Sequence, residues 1–260
     1  MTIKPYYETE LGKLYHGDCL SIMPELEPVD LVLTDPPYGM VACDWDTVIP
    51  IKPMWEKINS IRKENTAVVL TAAQPYTSFL VTSNVKLYKQ SLVWLKTRPT
   101  NIFNAKKQFM KWHEDILIFY EKPPVFNPQM RTDGQFTSGK VQRNNHDRKT
   151  GIFGKTGEKK DYIHEPNNGL FYPKTIIEHS NVNSHKNVHP TQKPVFLMEY
   201  LINTYTNIGF MVLDFTIGSG TTAIACERLK RKWIGIEIEE KYCEIAAKRI
   251  EAERKQLKLF

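Results

Sequence analysis

The feature of this sequence that most restricts its fold is the alternation of short apolar segments with segments of helical period. The segment Val29–Thr34 is apolar at nearly every position, which is typical of a strand covered on both faces of a sheet. The predicted strands are residues 13–16, 29–34, 66–71, 90–96, 116–120, 211–214 and 233–237. The predicted helices are residues 19–26, 50–63, 75–82, 194–206, 221–229 and 241–254. This alternation predicts an α/β fold with a doubly wound, mainly parallel sheet.

Length and composition set the broad class of protein. The chain has 260 residues, of which 41% are hydrophobic, so a sizeable core is expected and wholesale disorder is excluded. No apolar run approaches the roughly 18 residues of a membrane-spanning helix, and residues 1–10 lack a signal-peptide pattern, so we expect a cytoplasmic protein. The cysteines Cys19, Cys43, Cys226 and Cys243 are widely spaced, which predicts neither a zinc site nor a disulfide framework.

The basic residues are unevenly distributed, although the net charge is only +6. No acidic residue occurs from Asn65 to His113, and the aromatic residues Phe103, Phe109 and Trp112 lie in this acid-free segment. Its basic residues are Lys86, Lys89, Lys96, Arg98, Lys106, Lys107 and Lys111. One interpretation is a face that meets a polyanion. The other is the buried middle of a sheet with lysines on its rims.

A second basic region, residues 122–188, is rich in Asn, Gly, Lys and Arg and has weak periodicity. Its basic residues, which include Arg143 and Arg148, outnumber its acidic residues. A loop-rich basic insertion of this kind is suited to contact a nucleic-acid backbone. A solvated surface excursion without a partner is the alternative.

A glycine-rich turn joins the predicted strand Met211–Asp214 to the predicted helix Thr221–Leu229. Gly218 and Gly220 allow the backbone to approach a ligand closely, because a Cβ atom would clash there. The next predicted strand ends at Glu237, whose carboxylate can accept hydrogen bonds from both hydroxyls of a ribose. The pattern indicates a nucleoside cofactor, and both NAD and S-adenosylmethionine satisfy it. The missing third glycine of G-x-G-x-x-G counts against a dinucleotide, and a tight turn without a ligand is the remaining alternative.

The segment Asp35-Pro36-Pro37-Tyr38 directly follows the strand Val29–Thr34, at the strand end where ligands bind in open α/β sheets. The two prolines remove two N–H donors and restrict the backbone, which fixes the direction of their carbonyls. The segment suits a planar base with an exocyclic amine. The amine would donate to Asp35 and to the Pro36 carbonyl, while Tyr38 stacks on the ring. A simple proline turn capped by Asp35 is the alternative.

Together these motifs resemble the amino-methyltransferases of DNA, which methylate adenine N6 or cytosine N4, in their β-type motif order. Residues 35–38 match the catalytic motif of that family, and residues 214–220 match its cofactor loop. Residues 189–194 match the H-P-T-x-K-P segment that precedes the loop, and residues 113–117 resemble the H-E-x-I-L strand near the target-base pocket. One departure is the order D-F-T at Phe215, where D-P-F is commoner, and it leaves open which side chain covers the methionine moiety.

The resemblance implies a class I S-adenosylmethionine-dependent methyltransferase with circularly permuted motif order. Its domains would be a catalytic half (residues 1–121), a target-recognition insertion (122–188) and a cofactor-binding half (189–260). The implied cofactor is S-adenosyl-L-methionine, and no metal ion is expected. The implied catalytic residues are Asp35, Pro36 and Tyr38. The implied cofactor-binding residues are Asp18, Asp35, Thr191, Lys193, Asp214, Phe215, Thr216, Gly218, Ser219, Gly220, Thr221 and Glu237.

Some of these residues have two interpretations. Lys193 would meet the cofactor carboxylate or would be a solvated lysine at a helix start, and His189 is expected to be structural rather than catalytic. The implied DNA-binding residues are the basic residues Lys96, Arg98, Lys106, Lys107, Arg143 and Arg148.

The implied function is site-specific methylation of adenine N6 in double-stranded DNA with base flipping, by a bacterial or phage-encoded protein. N4-cytosine methylation is an alternative, because both amines present two N–H donors. Asp35 favours adenine, since the similar cytosine enzymes more often carry Ser there, and a purine has the larger stacking face. The intact Asp35, Tyr38 and Glu237 argue against a DNA-binding module with a degenerate fold. Methylation of RNA or of a protein glutamine is disfavoured by the basic insertion. A cognate restriction endonuclease and a homodimer are left open as partners, and no membrane partner is expected.

Overall fold

A computed structural model describes residues 3–39, 47–133, 169–181 and 192–257. Its chain divides into two compact units, Met1–Asn127 with Lys174–Phe260, and Pro128–Pro173. In the described part of the second unit, Arg131 and Phe171 form an antiparallel bridge. The predicted boundaries at residues 121 and 188 stay a proposal. Within the described residues, no helix has the length and apolarity required to cross a bilayer.

The first unit is built on one sheet, which has nine strands among the described residues. The strands are β1 (Tyr7–Glu8), β2 (Gly12–His16), β3 (Val29–Thr34), β4 (Arg62–Ala72), β5 (Tyr88–Thr100), β6 (Lys111–Phe119), β7 (Ile176–Glu178), β8 (Met211–Asp214) and β9 (Lys232–Glu237). Their order is β1-β2-β9-β8-β3-β4-β6-β5-β7, and only β1 and β6 run antiparallel to their neighbours among these strands. The predicted α/β fold with a mainly parallel sheet is confirmed.

Helices cover both faces of this sheet. They are α1 (Cys19–Ile22), α2 (Ile51–Ile61), α3 (Tyr76–Ser83), α4 (Val195–Tyr205), α5 (Thr221–Leu229) and α6 (Glu240–Leu257). Helices α1, α2 and α3 pack on the face that carries Val32, and helices α4, α5 and α6 pack on the face that carries Leu31 and Leu33. Because successive side chains of a strand point to opposite faces, β3 is buried on both sides, which explains its apolar sequence.

The sheet differs from the sequence-based prediction in the lengths of β4, β5 and β6 and in two short strands, β1 and β7. Strand β1, of two residues, was not predicted, and β4 begins at Arg62 rather than at the predicted residue 66. Strands β5 and β6 are longer than predicted, since they continue as a polar hairpin in which Thr100 pairs with Lys111. The residues at the far end of this hairpin are mostly exposed, so they need not be apolar. The apolar pattern therefore ends before the strands do. Strand β7 was not predicted. It is only three residues long and pairs in parallel with β5, with Val93 opposite Ile176.

Candidate active site

A cavity of about 350 Å³ lies at the carboxyl ends of β2, β9, β8 and β3. The chain runs from β8 to β9 in one direction across the sheet and from β3 to β4 in the other, so the strand order reverses between β8 and β3. Ligands of open α/β sheets bind at such a switch point. The volume falls within the range of about 300–1,000 Å³ for small-molecule sites.

Ten of the twelve predicted cofactor-binding residues line this cavity: Asp18, Asp35, Lys193, Asp214, Phe215, Thr216, Gly218, Ser219, Thr221 and Glu237. Gly220 lies against helix α6, where an added Cβ would be 3.0 Å from the Cβ of Ala246, and its φ of +82° favours glycine. Gly220 therefore shapes the turn. Thr191 lies outside the described residues, as do His189, Arg143 and Arg148.

Glu237 links the end of β9 to the glycine-rich turn. Its Oε2 accepts a hydrogen bond of 2.9 Å from the backbone N–H of Gly218, and its Oε1 accepts one of 2.9 Å from Glu239. Burial raises the pKa of Glu237, which is only 7% exposed. A carboxylate has about four acceptor positions, so Glu237 keeps acceptor capacity for a ligand beside its bonds to backbone N–H groups.

Asp214 braces the start of the same turn. Its Oδ1 accepts hydrogen bonds from the Thr34 hydroxyl at 2.6 Å and from the Thr216 N–H at 3.2 Å, and its Oδ2 accepts one from the Thr222 hydroxyl at 2.6 Å. The Thr216 hydroxyl in turn lies 3.1 Å from the main-chain oxygen of Asp35. These contacts fix the glycine-rich turn against the segment that carries Asp35. Phe215 is fully buried and packs in the core on the α1–α3 face.

The Asp214→Asn variant should gain stability relative to the wild type as the pH rises. Burial raises the pKa of Asp214 to about 6. Asp214 therefore keeps its proton in the native state up to a higher pH than in the unfolded chain. Because the native state binds more protons between the two pKa values of Asp214, the wild-type free energy of unfolding falls as the pH rises through that range. Between about pH 4 and about pH 7 the relative gain should reach up to about 3 kcal/mol. Urea denaturation of both proteins at the two pH values measures it, and a parallel pH dependence would contradict the prediction.

Asp35 receives three hydrogen-bond donors. The Tyr38 hydroxyl donates to its Oδ1 at 2.5 Å, the Thr71 hydroxyl donates to the same oxygen, and the Lys193 ammonium donates to Oδ2 at 2.5 Å. Burial and the carboxylate of Asp35 raise the pKa of Tyr38 well above its ordinary value, so its hydroxyl stays protonated and acts as a donor. The Tyr38 ring lies 5.4 Å from that of Tyr76. Asp35 is thus held in one orientation, with about one acceptor position left for a substrate.

Lys193 connects Asp35 to a second carboxylate, that of Glu114 on β6. The ammonium of Lys193 lies 3.2 Å from Glu114 Oε2, and Lys96 bonds Glu114 Oε1. Against the effect of burial, Lys193 and Lys96 lower the pKa of Glu114 to about 2. Likewise, although burial opposes it, Asp35 and Glu114 raise the pKa of Lys193 to about 12. Two positive and two negative groups therefore form one buried charged network.

This network corrects two sequence-based interpretations. Lys96, predicted to contact DNA, is buried at an inward-facing position of β5 and bonded to Glu114, so it is not presented to a phosphate. The alternative interpretation, a buried sheet with lysines on its rims, does not describe this residue either, because Lys96 is itself buried. Lys193 is only 8% exposed, so it is not a solvated lysine at a helix start. Its ammonium bonds carboxylates of the chain itself, and its contact with a cofactor carboxylate stays a prediction.

The other predicted DNA contacts that the structure describes are exposed. Arg98, Lys106 and Lys107 lie at the end of β5 and in the loop that follows it. Sequence reasoning missed Thr71, which ends the apolar part of β4 beside β3, and missed Thr47, Val48 and Ile49 at the cavity wall. A hydroxyl at the end of an apolar strand was the signal for Thr71.

The fold and the site define an α/β protein with a small-molecule cavity at the switch point of its sheet, beside a carboxylate that three donors hold in place. The chain belongs to the DNA methylase family, because the family model for N6- and N4-methyltransferases matches residues 29–248. The resemblance drawn from the motifs is confirmed, and the protein is a DNA methyltransferase.

Similar proteins cover nearly the whole chain. Type II methyltransferase M2.DpnII of Streptococcus pneumoniae is 28% identical, covering 96% of this chain and 93% of the relative. Type II methyltransferase M.BamHI of Bacillus amyloliquefaciens is 30% identical, covering 99% of this chain and 61% of the relative.

Solved structures share the fold. The crystal structure of the M1.HpyAVI–SAM complex has a TM-score of 0.61 at 24% identity, covering 92% of this chain and 100% of the other. The PvuII cytosine-N4-specific DNA methyltransferase has a TM-score of 0.65 at 18% identity, covering 95% of this chain and 88% of the other.

Proposed function

We propose that this protein transfers a methyl group from S-adenosylmethionine to the exocyclic N6 amine of adenine, at a specific sequence of double-stranded DNA. The observation that carries the proposal is that Asp35 and Glu237 line the same cavity. In this proposal Asp35 would bind the amine and Glu237 would bind the ribose. The Type II relatives support sequence-specific methylation and a role in a restriction-modification system. Because bacterial DNA lies in the cytoplasm, the protein would act there.

The residues of the cavity fit S-adenosylmethionine. Glu237 keeps acceptor positions for the two ribose hydroxyls, and Asp18 lies beside it at the end of β2. The Asp18 carboxylate caps helix α1 through the Leu20 N–H, which fixes its position at the cavity wall. The bound cofactor supplies a methyl group on a positively charged sulfur. The acidic lining of the cavity favours a ligand of that charge.

Asp35 and the Pro36 carbonyl would orient the target amine. The amine of an aromatic base is a poor nucleophile, since its lone pair is delocalised into the ring. Two acceptors facing its two N–H groups would favour a tetrahedral nitrogen whose lone pair is free to bond. As the N–CH₃ bond forms, the S–CH₃ bond of the cofactor would break, S-adenosylhomocysteine would leave, and the nitrogen would release one proton to solvent. Tyr38 would stack on the base, which compensates in part for its removal from the duplex. No covalent intermediate with the protein is required.

Lys193 would act as a positioning residue for Asp35. Its ammonium holds Oδ2, while Tyr38 and Thr71 hold Oδ1, so the carboxylate cannot rotate without breaking a buried ion pair. Asp35 and Glu114 would repel each other without the positive charge between them.

The product should be N6-methyladenine rather than N4-methylcytosine. Both amines suit two acceptors, so the preference comes from Asp35 at the first motif position and from the larger face that a purine offers to Tyr38. DNA that lacks methylation should be incubated with the protein, digested, and its nucleosides separated by mass. N4-methylcytosine as the sole product would overturn the adenine assignment and would leave the DNA methyltransferase intact.

The Glu237→Ala variant should bind S-adenosylmethionine at least about tenfold more weakly, because a charge-assisted contact with the ribose is lost. Calorimetry measures the affinity. Glu240→Ala is the matched control, since Glu240 is an exposed glutamate at the start of α6 and is not among the residues that line the cavity. Unchanged affinity in a folded Glu237→Ala protein would remove Glu237 from the cofactor site.

A further inference from the structure

The loop that joins β5 to β6, residues 101–110, exposes two aromatic rings completely. Phe103 is 103% exposed and Phe109 is 100% exposed, and Ile102 and Met110 beside them are also exposed. Exposing this much apolar side-chain surface to water is unfavourable unless a binding partner covers it. A cluster of exposed apolar side chains therefore marks an interaction site.

The backbone of this loop is well defined by hydrogen bonds. The Ala105 N–H donates to the Ile102 carbonyl at 3.0 Å, and the Lys107 N–H donates to the Asn104 carbonyl at 2.8 Å. The side chain of Asn101 accepts a hydrogen bond of 2.9 Å from the Lys111 N–H and closes the loop. The two rings are consequently presented by a folded turn.

The loop projects from the edge of the sheet that carries Asp35. Strand β5 runs in the same direction as β3 and β4, because β6 is antiparallel to both β4 and β5. Lys96 on β5 belongs to the buried network at Asp35 through Glu114. Leu95 lies opposite His113 and Thr100 lies opposite Lys111, so five residue steps of β5 match only two of β6, and this irregular stretch advances roughly 7 Å at about 3.3 Å per residue of β6. The aromatic loop therefore begins within roughly 7 Å of the network along the sheet, at the edge of the sheet that carries Asp35, which under the proposed function is the edge that receives the target base.

The charge around the rings selects the partner. Arg98, Lys106 and Lys107 are exposed here, and the sequence from Asn65 to His113 contains no carboxylate. An apolar protein surface would have to desolvate these cations without compensation. A DNA duplex offers phosphates to the cations and stacked bases to the rings.

We infer that this loop enters the duplex at the target site, and that Phe103 and Phe109 form a wedge between the bases beside the flipped base. The inference rests on the proposed methylation of DNA by base flipping. The wedge occupies the space from which the target base is withdrawn and so opposes its return. Lys106 and Lys107 bind the flanking phosphates.

The test compares two duplexes and three variants. Sequencing of DNA methylated by the wild type identifies the target sequence. One duplex then pairs the target base normally, and the other places it opposite a mismatched base, so that it is already unpaired. The Phe103→Ala/Phe109→Ala variant should lose at least about tenfold in kcat/KM on the paired duplex but stay within about threefold of wild type on the mismatched duplex. Lys106→Ala/Lys107→Ala should lose activity equally on both duplexes, with a flatter salt dependence.

The matched control removes an exposed ring from a different part of the surface. Phe79→Ala, on α3, should leave methylation of both duplexes unaffected. Equal loss on the two duplexes by the double phenylalanine variant, or no loss at all, would overturn the wedge. A change in the oligomeric state of that variant would also overturn it, because the rings would then cover a second copy of the chain. Wild-type methylation of the paired duplex, measured in the same series, tests the proposed function separately.

Discussion

The Asp35→Asn variant should lose roughly 10³-fold in kcat for DNA methylation while keeping its affinity for S-adenosylmethionine and for DNA. The asparagine amide carries no charge and offers one acceptor oxygen in place of two. Its NH₂ group would face either Lys193 or the two hydroxyls that now donate to Oδ1. The target amine would then lose its charged acceptor. Single-turnover kinetics measure the rate of methyl transfer, and separate binding experiments measure the affinities for S-adenosylmethionine and for DNA.

Asp30→Asn is the matched control for Asp35→Asn. Asp30 lies on the same strand, β3, but at its amino end, where it pairs with Lys63 and accepts from the Met211 N–H at 2.8 Å. This change is far from the cavity and should alter kcat by less than about threefold. If Asp35→Asn methylates DNA at a rate near that of the wild type, Asp35 is not the group that binds the amine.

The Lys193→Met variant should lose at least about a hundredfold in kcat with little change in KM for S-adenosylmethionine. Asp35 would lose the donor that holds Oδ2, and a small displacement of the carboxylate is enough to misalign the amine. The opposite result, a large rise in KM with kcat retained, would show instead that Lys193 binds the cofactor carboxylate. Lys193→Arg keeps the charge and should recover part of the lost kcat.

The same variant should be less stable by about 3 kcal/mol near neutral pH, because two buried carboxylates lose the charge between them. Glu114, whose pKa is lowered to about 2 chiefly by Lys193 and Lys96 against burial, is stabilising above its unfolded pKa, and this contribution is lost as the pH falls toward 2. The difference in stability should therefore shrink in acid. Adding Glu114→Gln to Lys193→Met should recover stability without recovering kcat. Recovery of both would contradict a positioning role for Lys193.

Local patterns were enough to predict most of the sheet and the cofactor turn. Val29–Thr34 and Met211–Asp214 were predicted with the bounds that the structure shows, since burial on both faces requires an apolar residue at almost every position. Helix α5 was also predicted with its observed bounds, because the glycines end the preceding turn and its residues follow a helical pattern. The extended hairpin of β5 and β6 was missed, as were β1 and β7, because polar or very short strands carry no such pattern.

The sequence by itself determined which strand ends carry chemical groups: Asp35 after β3, Glu237 at the end of β9, and the glycines between β8 and α5. Each assignment depends only on neighbouring residues, since the apolar pattern shows where a strand ends and which residue follows it. Parallel strands then bring these carboxyl ends to one edge of the sheet. Only the tertiary structure decided what each group contacts. Lys193 is 158 residues from Asp35 in sequence, and its pairing depends on the order of the strands and on the buried Glu114 and Lys96. When the partner of a charged residue lies on a distant strand, the neighbouring sequence carries no sign of the pairing. The partners of Lys193 are therefore determined by the fold.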